Sequence, residues 1–437
     1  MTLELIYKIN SMSAKINILQ VIPKLGHGGA EIGCYDLAHY LAENGCSSFI
    51  VTSGGKLIKY IDRKKVKLIR LPLQSKNPIL MLINSLILIC IILIFNISIV
   101  HARSRAPAWS CLLATKITRR KFVTTFHGTY NFKNELKKYY NSVMLRSDLI
   151  IAGSNFIFSH INENYLNYLD LNKKFLVIFR GINTEYFDPN KIHQSDEKKL
   201  ISEWKVNKER PLILLPGRLT YWKGQEMFIE ALDIVKKKMP GKPFFAVILG
   251  SDQGRNVYKK KLLRLVEQFR LTNEVKFFDK CELMPLAYKI SDVIVSSSIE
   301  PEAFGRVSVE AQAMEKPIIA SNIGGSKETI VNDKTGFLFE AGKPEELSKK
   351  IIHVLNLDES TLKFTGIEGR KNVIKKFNIE KMCFSTYSEY KKIIHALNLD
   401  ESTLKFIGIE GRKNVINKFN IEKMCFSTYS EYKKLIN

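Results

Sequence analysis

The chain has no Asp-x-Asp pair, no Cys-x-x-Cys pair and no Cys/His cluster. The first absence removes the simplest carboxylate clamp for a divalent cation, and the other two remove a zinc site. Neither G-x-G-x-x-G nor a Walker A sequence occurs, so the standard dinucleotide fingerprint and the P-loop are both excluded. The seven cysteines, at 34, 46, 90, 111, 281, 383 and 425, read as buried or indifferent thiols in a reducing compartment. Residues 1–22 lack the charged start, apolar core and small-residue cleavage site of a secretory signal. Met12 is a candidate start, because the first strand pattern opens only near Ile16. Acidic residues are scarce, 43 against 67 Lys and Arg, and the net charge of +24 suits an anionic partner. A Lys excess spread this evenly is equally a compositional bias, and it shows none of the clustered basic and aromatic elements of a nucleic-acid binder.

At 437 residues the chain can hold two domains with full cores. Short β-branched runs alternate with helical patterns in each half, which predicts parallel βαβ units. The first half offers strands at 16–21, 47–52, 66–71, 97–102, 121–126, 149–154 and 175–180, and the second at 211–217, 244–250, 274–278, 292–298, 317–321 and 336–340. The polar stretch 188–199 between them reads as a linker. The architecture expected is α/β, with two doubly wound Rossmann-like domains facing across a cleft. Residues 79–95 are apolar apart from Asn84 and Ser85, near the lower length limit for a membrane span. Their place between two strands of one sheet predicts a buried or interfacial crossover helix, apolar enough all round to enter one leaflet partially. Residues 351–392 recur at 393–434, differing only at Val354/Ala396, Thr365/Ile407 and Lys375/Asn417. Two copies are too few for a solenoid, so one is expected to complete the fold and the other to be appended.

The chemistry concentrates at 300–328. Glu302 and Glu310 flank Phe304-Gly305 at the start of a predicted helix that follows the strand DVIVSSS. Carboxylates at the carboxyl end of a parallel strand lie where such sheets bind ligands, and a helix N-terminus there favours phosphate. Eight residues of regular helix would put the carboxylates about 12 Å apart. Arg218 and Lys223 follow the strand ending at Gly217, cations that suit a diphosphate. Gly28 and Gly29, in the first strand-to-helix loop, allow close backbone approach to a ligand. His127 ends one strand pattern; His101 ends another, with Arg103 and Arg105 behind it to grip an anionic acceptor.

Together these motifs resemble the family-4 retaining glycosyltransferases of the GT-B fold, over roughly residues 16–392. They are E-x7-E at Glu302 and Glu310, G-R-x4-K-G at Gly217, Arg218, Lys223 and Gly224, the N-terminal GGAE, and FRGINTEYF at 179–187. The wording HARSRAPAW and EAFGRVSVEAQAM is closest to the bacterial envelope and lipopolysaccharide branch. The resemblance implies an N-terminal acceptor domain (1–187), a nucleotide-sugar domain (188–378) and a last helix (379–394) returning to the first domain, with 393–437 as the duplicate. It implies that Glu302 and His127 contact the donor sugar, Glu310 the ribose, and Arg218 and Lys223 the diphosphate. Gly28, Gly29, Phe304 and Gly305 would complete the donor site, and His101, Arg103 and Arg105 would take the acceptor. Transfer would proceed with retention, without metal or other cofactor, from a UDP- or GDP-sugar to a lipid-linked or lipopolysaccharide acceptor, on the inner face of the cytoplasmic membrane. Glu315 departs from the pattern, standing at a helix end where relatives carry Gly. A GT-B nucleotide-sugar epimerase, an integral membrane protein and a basic nucleic-acid-binding protein are the alternatives; no nucleic-acid partner is expected.

Overall fold

The computed structural model describes residues 15–26, 28–170, 172–254, 256–398, 409–410 and 412. The candidate start at Met12 and nearly all of the second repeat copy lie outside them. Contacts divide the chain into one compact unit, Met1–Ser385, and a second, Thr386–Asn437.

The first unit contains two parallel sheets. One has seven strands, β1 (Asn17–Val21), β2 (Ser47–Thr52), β3 (Val66–Arg70), β4 (Ile99–Ala102), β5 (Lys121–Phe126), β6 (Leu149–Ala152) and β7 (Lys174–Val177), in the order β3-β2-β1-β4-β5-β6-β7. The other has six, β8 (Leu212–Pro216), β9 (Phe245–Leu249), β10 (Val275–Phe278), β11 (Val293–Ser296), β12 (Ile318–Ser321) and β13 (Phe337–Phe339), in the order β10-β9-β8-β11-β12-β13. Each predicted run forms a strand; the central ones, such as β6, β8, β9 and β11, are buried on both faces by crossover helices, and the edge strands β3, β7 and β10 only partly. In the first lobe these are α1 (Gly29–Glu43), α2 (Pro78–Ile94), α3 (Arg105–Thr118), α4 (Glu135–Ser142) and α5 (Asn155–Tyr165). In the second they are α6 (Gln194–Trp204), α7 (Gln225–Lys238), α8 (Asn256–Gln268), α9 (Met284–Ile290), α10 (Arg306–Ala313), α11 (Ser326–Thr329), α12 (Pro344–Leu355) and α13 (Glu359–Lys376), followed by α14 (Ile379–Asn398).

The strand order reverses between β1 and β4 in one sheet and between β8 and β11 in the other. Such switch points open a crevice at the carboxyl ends of the strands. The connections after β1, β4, β8 and β11 carry Gly28 with Gly29 opening α1, Arg103, Lys223 and Glu302, so topology alone collects the candidate residues.

One expectation is corrected. The stretch 188–199 is not a free linker. From Gln194 it is helical, and Leu200 and Trp204 bury their side chains in the second lobe, where Trp204 stacks on Phe278 at 4.8 Å. The carboxylates Asp196 and Glu197 in the first turn favour the helix dipole. The apolar segment 79–95 is a crossover helix, as expected, with one side of it buried.

The chain returns to the first lobe at residues 377–383. Ile182 and Asn378 bridge, with Ile182 N donating to Phe377 O at 2.8 Å and Ile379 N to Ile182 O at 3.0 Å. Cys383 is then buried, and burial together with Asp36 of α1 pushes its thiol up.

Glu315 adopts the left-handed conformation (φ 57°) just past the end of α10. A side chain there costs about 1–2 kcal/mol, partly offset by the greater unfolded-state freedom of Gly. Glu315→Gly is therefore expected to stabilise the protein by about 1 kcal/mol, read as a rise in thermal midpoint. Its carboxylate lies 3.7 Å from Arg370, which also faces Asp188 at 3.4 Å, so little is lost with it.

Candidate active site

In the second lobe Gly224 holds φ +69° at the entry to α7, where a Cβ would overlap the carbonyl of Ser297. That approach draws Lys223 beside the loop after β11. Lys223 Nζ donates to Glu302 Oε1 at 2.6 Å, and Ser298 Oγ donates to the same oxygen at 2.5 Å; among the described residues none donates to Oε2. Burial works to raise the Glu302 carboxyl, but Lys223, Ser298 and Arg218 overcome it and hold the group below its ordinary range, so it is ionised. Arg218 is exposed and lies over the Trp222 ring at 5.9 Å, with Lys223 at 4.6 Å from the same ring.

Glu302 does not lie on the helix of Glu310. Gly305, at φ +79°, precedes α10, so Glu302 belongs to the preceding loop and regular-helix spacing does not apply. Glu310 is buried with both oxygens engaged: Tyr288 Oη donates at 2.7 Å and Arg306 Nε at 2.5 Å. Phe304 turns into the core against Phe377 at 5.7 Å, so its side chain is no ligand contact. Gly305 leaves the first turn of α10 without a side-chain cap.

From the first lobe His127 follows β5. Arg180 Nη2 donates to its Nδ1, and a guanidinium can only donate. Nδ1 is therefore the acceptor and Nε2 carries the proton, with no partner. Desolvation, with Arg180, Arg103 and His101, holds the imidazole well below its ordinary pKa, and it is neutral. His127 thus presents one unpaired N–H.

Three guanidinium groups meet around the Gly-rich loop. A Cβ on Gly29 would stand 3.0 Å from Arg180 Nη1 and 3.8 Å from Arg306 Nη1. One turn later, a Cβ on Gly33 would stand 3.5 Å from Arg103 Nη1. Burial, Arg103 and Arg306 press the Arg180 pKa down to about 10. Arg306 has Glu310, but neither Arg103 nor Arg180 is paired with a carboxylate among the described residues. Gly28 caps α1 in extended conformation beside Glu31.

The proposed acceptor trio is rearranged. His101 is fully buried, its Nε2 2.7 Å from Thr125 Oγ1, and burial with Arg103 keeps it neutral. It cannot grip an anion as a cation. Arg103 is buried beneath α1, 3.5 Å from Ala30 O, with Nε unpartnered. Arg105 donates to Asn141 Oδ1 at 2.8 Å and stacks on Tyr130. Sequence reasoning missed Arg180, Arg306, Ser298 and Tyr288. Arg180 and Arg306 sit inside the quoted motifs, FRGINTEYF and EAFGRVSVE, which were the available signal. Among the described residues no group of three His, Cys, Asp or Glu stands together as a metal cluster.

The lobes touch beside this site. Ser154 Oγ donates to Ala303 O at 2.6 Å, and the amides of Asn155 and Phe156 donate to Glu328 at 2.8 and 2.5 Å.

Comparison with known proteins places this geometry. Residues 27–186 match the profile described as Glycosyltransferase Family 4, and residues 196–372 that of Glycosyl transferases group 1. A crystal structure of a glycosyltransferase from Rickettsia africae shares 40% identity at a TM-score of 0.80, covering 87% of this chain and 99% of that one. The Anabaena protein HepE, solved with UDP and glucose, superposes at a TM-score of 0.73 with 20% identity over 86% of this chain and 100% of its own, a likeness of fold. The capsular polysaccharide biosynthesis glycosyltransferase CapM of Staphylococcus aureus is 29% identical over 200 residues, 45% of this chain and 49% of its own. With two parallel-sheet lobes, a cleft at their switch points and this kinship, the chain belongs to the family-4 glycosyltransferases of the GT-B fold.

Proposed function

We propose that this glycosyltransferase moves a sugar from a UDP- or GDP-linked donor to a lipid-linked or lipopolysaccharide acceptor, with retention and without a metal, in envelope glycan synthesis at the inner face of the cytoplasmic membrane. The observation that carries the donor assignment is the meeting of Arg103, Arg180 and Arg306 at the Gly29 loop, with Lys223 and Arg218 across the cleft. Arg103 is buried and Arg180 and Arg306 are half-buried; cations this close and this screened from water repel one another, and an anion with several charges relieves the repulsion. A nucleoside diphosphate supplies it, and its polyol ends need the acceptor and donor groups that Glu302 Oε2 and His127 Nε2–H leave open.

In this reading the bond from the anomeric carbon to the diphosphate breaks while the acceptor oxygen attacks from the same face. The acceptor's hydroxyl proton passes to the departing phosphate oxygen. Lys223 and Arg218 stabilise the charge that develops there, and Glu302 supports the electron-poor sugar, so catalysis rests on positioning and electrostatics. The UDP complexes of HepE make UDP-sugars the first donors to try, and the CapM likeness favours a surface polysaccharide or its lipid-linked precursor.

The test is a thermal-shift panel of UDP- and GDP-sugars, followed by NMR of the anomeric configuration of the product. One nucleotide sugar is expected to raise the melting temperature by mass action, with the donor's configuration kept in the product. No stabilisation by any of them would overturn the donor assignment, and an inverted product the retaining one.

A further inference from the structure

Helix α2 is inside out for a helix in water. Its two polar residues, Asn84 and Ser85, are buried: Asn84 Nδ2 donates to Pro72 O at 3.3 Å and Ser85 Oγ to Met81 O at 2.8 Å. Its exposed side is apolar, with Leu82 53%, Leu86 56% and Ile94 74% accessible. Leu113 and Ile117 of α3 extend the face, and Leu136 and Tyr139 of α4 stand exposed beyond Trp109, whose ring lies 5.7 Å from Tyr139. Between α2 and α3 runs an open groove of about 510 Å³ lined by Leu82, Trp109 and Leu113, with Lys76 and Lys116 at its edge. A continuous exposed apolar surface of this kind marks an interaction site.

The charge around the face identifies the partner. Every charged residue between Asp62 and Glu135 is Lys or Arg, and this stretch includes all of α2 and α3. Lys76, Lys116 and Arg119 are exposed. With Glu135 at the start of α4 as the acid at its margin, an apolar face whose α2 and α3 carry only cations complements an anionic bilayer, whereas a second copy of the same face would set cation against cation. No helix among the described residues is long and apolar enough to cross a membrane, and the inner side of α2 is packed on the sheet.

We infer that the α2–α3 face, extended by α4, docks on an anionic lipid surface, α2 lying in the membrane plane. Its leucines and isoleucines enter the boundary between headgroups and acyl chains, and Lys76, Lys116 and Arg119 meet the lipid phosphates. Helix α2 starts at the carboxyl end of the first sheet, the end that carries Gly29 and His127, so the docked cleft opens beside the bilayer. This rests on the membrane placement proposed above, names the surface that would achieve it, and holds whichever acceptor is used.

The test is co-sedimentation of the full chain with sucrose-loaded vesicles of phosphatidylcholine alone or mixed with phosphatidylglycerol. Wild type is expected to bind the mixed vesicles at least about tenfold more tightly, with affinity falling as salt rises. Leu82→Gln/Leu86→Gln is expected to weaken that binding about tenfold or more, and Lys76→Ala/Lys116→Ala to lower it severalfold and flatten its salt dependence. Phe364→Gln, at an exposed apolar residue of α13, is expected to change nothing, and circular dichroism checks that each variant is folded. Wild type that stays in the supernatant with both vesicles, or binding indifferent to the leucine pair, would overturn the inference. So would a lipid-free dimer in sedimentation velocity that the leucine pair dissolves, which would make the face a self-interface. None of these readouts uses a sugar donor, so their failure is separate from failure of the transfer reading.

Discussion

Lys223→Ala is expected to lower kcat/KM for the identified donor by about 10²–10³. It removes a cation placed for the departing diphosphate and strands Glu302, whose side chain is 11% accessible and ionised. Breaking a buried pair by removing one partner costs about 3–5 kcal/mol, so the melting temperature falls as well. Activity alone would not separate catalysis from folding. The double variant Lys223→Met/Glu302→Leu does so, because replacing both partners by apolar groups of similar size is close to neutral for stability. It is expected to melt near wild type and to transfer sugar no faster than Lys223→Ala. A double variant that transfers sugar at the wild-type rate would reduce the pair to a structural bond.

Glu302→Gln adds a pH signature with a fixed sign. The folded-state pKa of Glu302 lies below its unfolded value, so the carboxylate's contribution is fully present above the ordinary carboxylate pKa, about 4.3. It is lost as the pH falls through the lower folded-state value. The stability advantage of wild type over Glu302→Gln is therefore expected to be level from neutrality down to that range and to shrink below it, in melting curves taken across the acid limb.

The strands were legible because a run such as KFVTTF or DVIVSSS, buried on both sides, needs nothing but itself to declare a central parallel strand. Glu302, Lys223, Gly29 and His127 were legible because each follows such a run. What could not be read depended on meetings between distant residues. Arg180 and Arg306 are 126 positions apart, and only the fold brings both to Gly29. The burial of His101 depends on Thr125 in the neighbouring strand, which no local pattern exposes. Glu302 and Glu310 looked like two points on one helix because the left-handed turn at Gly305 leaves no periodic trace. In α2, composition showed an apolar helix, but its two polar residues gave no sign that they would be the buried ones.

Glu328 is one residue by which the second lobe holds the first. Its carboxylate accepts the amides of Asn155 and Phe156, the opening turn of α5, where unpaired N–H groups and the helix dipole both favour a negative charge. Ser154 adds a second tie, capping α5 at Ile157 N while its hydroxyl donates to Ala303 O beside Glu302. Hydrogen bonds to a charged group contribute about 1.5–3 kcal/mol each, so Glu328→Ala is expected to weaken closure by about 3 kcal/mol. A shift of that size changes the closed-to-open ratio roughly a hundredfold. Each lobe keeps its own core, so the melting temperature should move little while the radius of gyration in solution scattering rises. Because Ala303 and Glu302 share the loop that Ser154 grips, kcat/KM should fall by about tenfold or more through a higher KM and a lower kcat together. Scattering and turnover both unchanged in Glu328→Ala would mean that the lobes are held by the Ile182–Asn378 crossover instead. Gln at 328 tests the charge: it keeps one acceptor oxygen and loses the dipole interaction, so its closure should fall between wild type and Ala.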